Sequence, residues 1–270
     1  KYNIEIIEKE ISADLEKRNS DKESQFIATK FACKYFEEML WDTEEGQKIG
    51  LSYFKERGFS LEIIRKFQLG YSPKKQNSFK NIALAAGYDK KVLISSSLIG
   101  ENDGGESYDK FRERAIFPIH AYSGKIIGFG GRSFSKEAKA KYINSNETLI
   151  YDKSKVLYGI YLAKQAIRKS DKCFIVEGYT DVISMHQAGI QNVVSASGTA
   201  LSDYQIRLIK RSTKNIVLLF DSDNAGIKAT IRSINICLKS EINVQIATFP
   251  EGEDPDSYVK KLTTKEFQEY

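Results

Sequence analysis

A chain of 270 residues with a formal net charge of +5 and 41% hydrophobic content is long enough for one large domain or two modest ones, and suits a globular fold. Its three cysteines, Cys33, Cys173 and Cys237, stand far apart with no CxxC pair, and only two histidines are present. That argues against a zinc site and more strongly against a disulfide framework, and fits a reducing cytosol. No run approaches membrane-spanning length, no signal-peptide pattern opens the chain, and the mildly basic balance permits a polyanionic partner without requiring one. Because it starts at Lys1 and stops within a charged, helix-like tail, the sequence reads as an excised piece.

Residues 1–23 are densely charged and read as a linker or exposed helix. From Gln25 to Leu40 apolar residues recur at helical spacing, with Trp41 at the end. A second helix is expected from Glu44 to Arg57, ended by Gly58. A third runs from Leu61 to Phe67 with Ser60 as its cap, closed by Leu69 to Pro73. Phe79–Ala86 and Lys90–Ser96 make two more short helices of what reads as a helical scaffold.

From Tyr108 the texture changes. Arg114 to His120 and Lys125 to Phe134 are β-rich runs around a Tyr122-Ser123-Gly124 turn, which predicts a hairpin. It carries Arg112, Arg114 and Arg132, and Lys139, Lys141 and Lys153 follow. One reading is a twisted strand with a solvated basic face. In the other, Gly128, Gly130 and Gly131 clear side chains beside Arg132 so that a large ligand or another backbone can approach.

Cys173 to Val176 reads as a buried strand ending at Glu177-Gly178, followed by a helix that Gly189 stops. Asn192–Gly198 is a second strand, and a helix from Tyr204 to Arg211 is capped by Ser202 or Asp203. The apolar run Ile216 to Phe220 is a third strand buried on both faces, ending in Asp221 and Asp223. After a turn, a helix continues to Lys239, and Ile242–Phe249 is a fourth strand. Strands alternating with helices predict a parallel, doubly wound sheet whose strand ends share one edge. That edge gathers Glu177, Asp181, Asp221, Asp223, Asp254 and Asp256. Uncompensated, these carboxylates would repel; hard oxygen donors without His or Cys favour Mg²⁺, with Mn²⁺ as a substitute. Two such ions suit phosphoryl transfer. For Asp181 and Asp203, a helix cap is the competing reading.

Other motifs fail. Asp221 to Gly226 begins like a calcium loop, but Arg232 stands where its glutamate is needed. The Asp221 strand resembles a Walker B strand without any GxxxxGK[ST] loop, and the glycines at 128–131 do not make a dinucleotide fingerprint. His186 lies in a helix and reads as packing; His120, in the hairpin, is the better placed of the two to approach a substrate.

Together, Glu177-Gly178-Tyr179-Thr180-Asp181-Val182 and Phe220 to Gly226 resemble the TOPRIM module of primases, topoisomerases and some nucleases. Phe111 to Arg114, Phe117-Pro118-Ile119, Gly128 to Arg132, Lys141 to Ser145 with Glu147-Thr148, and Gly252 to Ser257 resemble bacterial DnaG-type primases, over about Phe26 to Val259. Thr180 departs from the family's apolar preference, and Asn146 from its common proline. The resemblance implies an α/β fold: an N-terminal basic α+β subdomain at 26–165 after a charged segment at 1–25, a doubly wound, mostly parallel TOPRIM sheet at 166–257, and a helical region beginning at 258–270. It implies RNA-primer synthesis from ribonucleoside triphosphates on single-stranded DNA in the bacterial cytoplasm, at the nucleoid and replisome. Glu177 would act as general base or principal metal ligand, Asp221 and Asp223 would bind metals, and Asp181, Asp254 and Asp256 would support them. Arg112, Arg114, Arg132, Lys141 and Lys153 would hold nucleotide or template. Zinc is not expected in this piece. The replicative helicase would bind through a C-terminal region outside it, and no membrane is involved. The rival is a TOPRIM nuclease or topoisomerase-like strand-cleaving enzyme.

Overall fold

The computed structural model describes residues 13–135, 138, 140–198, 201–220, 224–248, 255–261 and 266. It opens with α1 (Ala13–Asp42), a 30-residue helix that also takes in the second half of the charged stretch, in keeping with the exposed-helix reading of that part. At about 1.5 Å per residue it spans about 45 Å. Its buried stripe, Ala28, Ala32, Cys33, Phe36 and Leu40, follows the i, i+4 spacing. The expected second helix is present and continuous from residue 44 to 56, with a π-helical stretch (Gly46–Leu51) running straight into α2 (Ser52–Glu56). A Cβ on Gly46 would lie 1.8 Å from the Met39 carbonyl oxygen, so only glycine lets this turn close on α1. Next come α3 (Leu61–Lys66), capped by Ser60 Oγ accepting from Ile63 N–H, then α4 (Ser78–Ala85) and α5 (Lys90–Ser95).

An antiparallel sheet forms the middle of this half, in the order β1 (Gly70–Ser72), β4 (Arg114–His120), β5 (Ile126–Ser133) and β6 (Tyr142–Asn144). A short hairpin, β2 (Ile99–Glu101) with β3 (Ser107–Asp109), lies beside it. The β4–β5 hairpin is where the sequence predicts it, but not with a solvated face: β4 is buried from Ala115 to His120. Successive residues point to opposite faces. Accordingly Ile116 joins a core with α1, Phe79 and Phe129, while Ala115, Phe117 and Ile119 join a second core that reaches the other half of the chain.

That other half begins with α6 (Ile160–Ser170), in a stretch the sequence reading leaves unassigned. Then follow β7 (Cys173–Val176), α7 (Tyr179–Gln187), β8 (Val193–Ser195), α8 (Asp203–Lys210), β9 (Asn215–Leu218), α9 (Asn224–Lys239), β10 (Asn243–Ile246) and α10 (Pro255–Val259). The sheet is parallel, in the order β10-β9-β7-β8. One face, through Ile175, Val194, Ile216 and Leu218, packs on α6, α8 and α9; the other, through Phe174, Val176 and Val217, packs on α7 and the antiparallel sheet. Both faces are covered over β7, β8 and β9, as their unbroken apolar runs require, while the edge strand β10 stays largely exposed.

Candidate active site

Glu177 follows directly on β7 in the parallel sheet. Its backbone carbonyl accepts a 2.6 Å hydrogen bond from Ser195 Oγ, which also accepts from Ser197 N–H at 2.8 Å. Tyr158 extends this edge by pairing with Ser195 in both directions. The ends of β7 and β8 are thus tied together, and the half-exposed Glu177 side chain starts from a fixed backbone.

Tyr179, two residues on, joins the halves. Its buried ring stacks on Phe117 at 5.2 Å and meets Tyr158 edge-on at 4.5 Å. Its hydroxyl lies 2.6 Å from the Asn144 amide; the amide orientation that satisfies its neighbours donates to that hydroxyl and accepts from Lys153 Nζ at 3.2 Å. Lys153 is therefore held beside Tyr179. The glycines flanking Arg132 serve this packing rather than a ligand. A Cβ on Gly130 would fall 2.5 Å from the Tyr179 ring, one on Gly131 2.8 Å from Phe111, and one on Gly128 3.1 Å from Ser145 Oγ.

The expected acids divide. Asp221, Asp223 and Asp254 lie outside the described residues. Asp181 accepts a 2.8 Å hydrogen bond from Gly178 N–H, closing the first turn of α7. Asp256, 8% exposed, accepts from Ser184 Oγ and pairs with Lys260 Nζ at 2.7 Å and Arg57 Nη1 at 3.4 Å. It thereby fastens α10 to α7 and to the end of α2. Among the described residues no group of three or more potential ligands could hold a metal ion.

Of the basic residues, Arg57 and Lys153 reach this edge directly, and the others are held by the antiparallel sheet and its flanks. Arg57 and Arg132 approach the Tyr53 ring at 5.8 and 4.5 Å, and Arg132 also lies 5.4 Å from the Phe134 ring. Arg132 pairs in register with Tyr142 on β6, whose phenol pKa is raised chiefly by burial. Arg114 Nη1 donates to the Gly131, Ala140 and Lys141 carbonyls at 3.2, 3.4 and 3.4 Å; burial lowers its pKa. It braces the segment leading into β6, where exposed Lys141 stands. Exposed Arg112 faces a cavity of about 550 Å³ beside β3, shared with Lys110, half-exposed Tyr108 and Asn77. Burial lowers the Lys110 ammonium to about 8, and it donates to Asn146 Oδ1 at 2.5 Å.

Sequence reasoning missed Arg57, Asn144 and Lys110 as members of this surface. Arg57 is an ordinary C-cap residue until the fold brings Asp256 to it from 199 positions away. His120 is buried against Gln68 Oε1 at 3.0 Å and stacks on Tyr161, so it belongs to the packing, as His186 does.

Fold and surface together define a two-part α/β core in which a TOPRIM-type parallel sheet abuts a buried antiparallel sheet bearing arginines and lysines. Residues 35–164 match the family described as the DNA primase catalytic core, N-terminal domain, and residues 174–259 match the Toprim-like family. The DNA primase of Halalkalibacterium halodurans is 40% identical over 93% of this chain; the match spans 42% of that protein's length. A DNA primase domain from Pseudomonas aeruginosa superposes with a TM-score of 0.83 at 37% identity, covering 91% of this chain and 77% of that one. A DnaG primase catalytic domain bound to ssDNA gives 0.84 at 31% identity, covering 93% and 81%. The chain belongs to the DnaG-type primase family, to the part that forms the catalytic core.

Proposed function

We propose that this chain is the RNA-polymerising core of a DNA primase, which joins ribonucleoside triphosphates into short primers on a single-stranded DNA template. One observation carries the reading: Tyr179 holds the strand end bearing Glu177 against Asn144 and Lys153, so a carboxylate edge and a cationic sheet share one surface. Phosphoryl transfer needs this pairing, because triphosphate and template are anionic and the attacking hydroxyl must be activated. The solved DnaG catalytic domain bound to ssDNA supports the template assignment.

Glu177 acts as general base or principal ligand, with Asp221 and Asp223 as the other ligands. Their all-oxygen chemistry fits Mg²⁺ or Mn²⁺, which when bound would neutralise phosphate charge and acidify a hydroxyl. Asp254 supports them. Asp181 and Asp256 already have hydrogen-bonding duties and contribute chiefly by holding the edge in place. Arg132, Lys141 and Lys153 face the nucleotide. Arg112 and Lys110 line the template path, where Tyr108 offers a stacking surface. The division into a basic subdomain at 26–165, a TOPRIM domain at 166–257 and a helical region from 258 belongs to the same proposal, as do bacterial cytoplasmic localisation and a helicase contact made through a C-terminal region beyond this piece. The described residues include no helix long and apolar enough to cross a membrane.

The test is incorporation of labelled ribonucleotides on primed single-stranded DNA with Mg²⁺ or Mn²⁺. Glu177→Gln should abolish incorporation and leave DNA affinity and melting temperature unchanged. Strand cleavage without incorporation, or synthesis retained by the variant, would overturn the assignment.

A further inference from the structure

A cleft of about 480 Å³ lies in the seam between the two halves, and none of its walls belongs to the catalytic set. Its volume falls within the roughly 300–1,000 Å³ of small-molecule sites. Arg18 and Lys22 enter it from α1, Tyr122 from the β4–β5 turn, Tyr151 and Lys155 from the connection to α6, and Tyr204 and Arg211 from α8. Among the described residues, Arg18, Lys22 and Arg211 make no ion pair, and the one acid in the wall, Asp152, is taken by Lys155 at 2.6 Å and by Ser154. Three uncompensated cations facing one hollow form a site for an anion of high charge.

The rings add a second requirement. Tyr204 is 38% exposed, with Arg207 at 5.8 Å from its ring, and Tyr122 has Lys164 at 5.1 Å. The floor, Ile127, Ile160 and Leu208, is apolar. Cations on the rim with aromatic rings over an apolar floor match a ligand that joins phosphates to a flat ring system.

We propose that this cleft is a second nucleotide site, which binds a nucleoside polyphosphate with its phosphates on Arg18, Lys22 and Arg211 and its base against Tyr204 or Tyr122. The inference does not depend on the catalytic roles assigned above. Its occupant bridges α1 and α8, and Lys153 is not among the lining residues.

GTP binding to the whole chain, measured by calorimetry in EDTA, tests it, because chelation removes metal-dependent binding at the carboxylate edge. Arg18→Glu and Arg211→Glu should each weaken GTP by about tenfold or more, while Lys153→Ala leaves it unchanged. Inorganic tripolyphosphate should bind more weakly than GTP, and Tyr204→Ala should lower GTP toward the tripolyphosphate value. Arg18 and Arg211 are exposed, so the variants should melt as the parent does; should Arg211→Glu not, Arg211→Gln serves the same comparison. Absence of GTP binding in EDTA, full affinity in the double Arg18→Glu/Arg211→Glu variant, or a loss that follows Lys153→Ala instead would overturn the proposal.

Discussion

Gly130→Ala tests how the two halves are joined. In an ordinary strand the substitution stabilises by about 0.4–1 kcal/mol, because the unfolded chain loses freedom. Here the new methyl carbon would lie 2.5, 2.6 and 2.7 Å from Cε2, Cζ and Oη of Tyr179. The ring cannot swing aside: Phe117 stacks on it, Tyr158 meets it edge-on and Asn144 holds its hydroxyl. Overpacking of this kind destabilises by about 1–3 kcal/mol, which reverses the sign and leaves a net loss of about 1–2 kcal/mol. For a chain of this size that lowers the melting temperature by about 2–8 °C. Calorimetry or urea unfolding reads the change. In a Tyr179→Leu background, with the ring removed, Gly130→Ala should become neutral or stabilising. An equal loss in both backgrounds would refute the clash and place the effect in the strand itself.

Three further outcomes are expected. Asp256→Asn should lower stability by about 1–3 kcal/mol in urea titrations even without divalent ions, since it weakens a buried contact with Arg57 and Lys260. A loss confined to metal-dependent activity would instead make Asp256 a ligand. Lys110 loses its charge as pH rises through about 8, so single-stranded DNA affinity should fall between pH 7 and 9; Lys110→Gln should remove that dependence and reduce the salt slope by about 0.7. A pH profile unchanged by Lys110→Gln would show that this lysine does not meet the strand. His186 is buried, neither ring nitrogen has a hydrogen-bond partner among the described residues, and burial lowers its pKa to about 3. The folded state then binds fewer protons than the unfolded one, so stability present above about pH 6.5 drains away as pH falls toward 3. His186→Phe should flatten that acid limb in pH-dependent melts, and an unchanged limb would assign it to other groups.

The parts legible in the sequence were those that carry their own signal. The runs that became β4, β5, β7 and β9 are apolar enough to declare burial, and Ser60 and Ser202 cap the helices they precede. What stayed hidden depends on partners. β1 and β6 have three residues each and are strands only because β4 and β5 pair with them. The glycines beside Arg132 announced close approach, but only packing shows that Tyr179, Phe111 and Ser145 are what approach. The acidic motif around Asp256 announced a carboxylate at the sheet edge, and nothing local revealed that Ser184, Arg57 and Lys260 would engage it.

The buried cluster that runs from Phe54 and Phe117 through Tyr179 and Val182 to Val217 and Val259 belongs to both halves at once. Neither sheet has a finished surface on that side. A chain cut just before α6 would therefore yield two pieces that each expose aromatic and branched side chains, and each would aggregate unless its complement were present. Unfolding should accordingly be a single cooperative event, and transplanting the parallel sheet into another protein would require the Gly130 strand to travel with it.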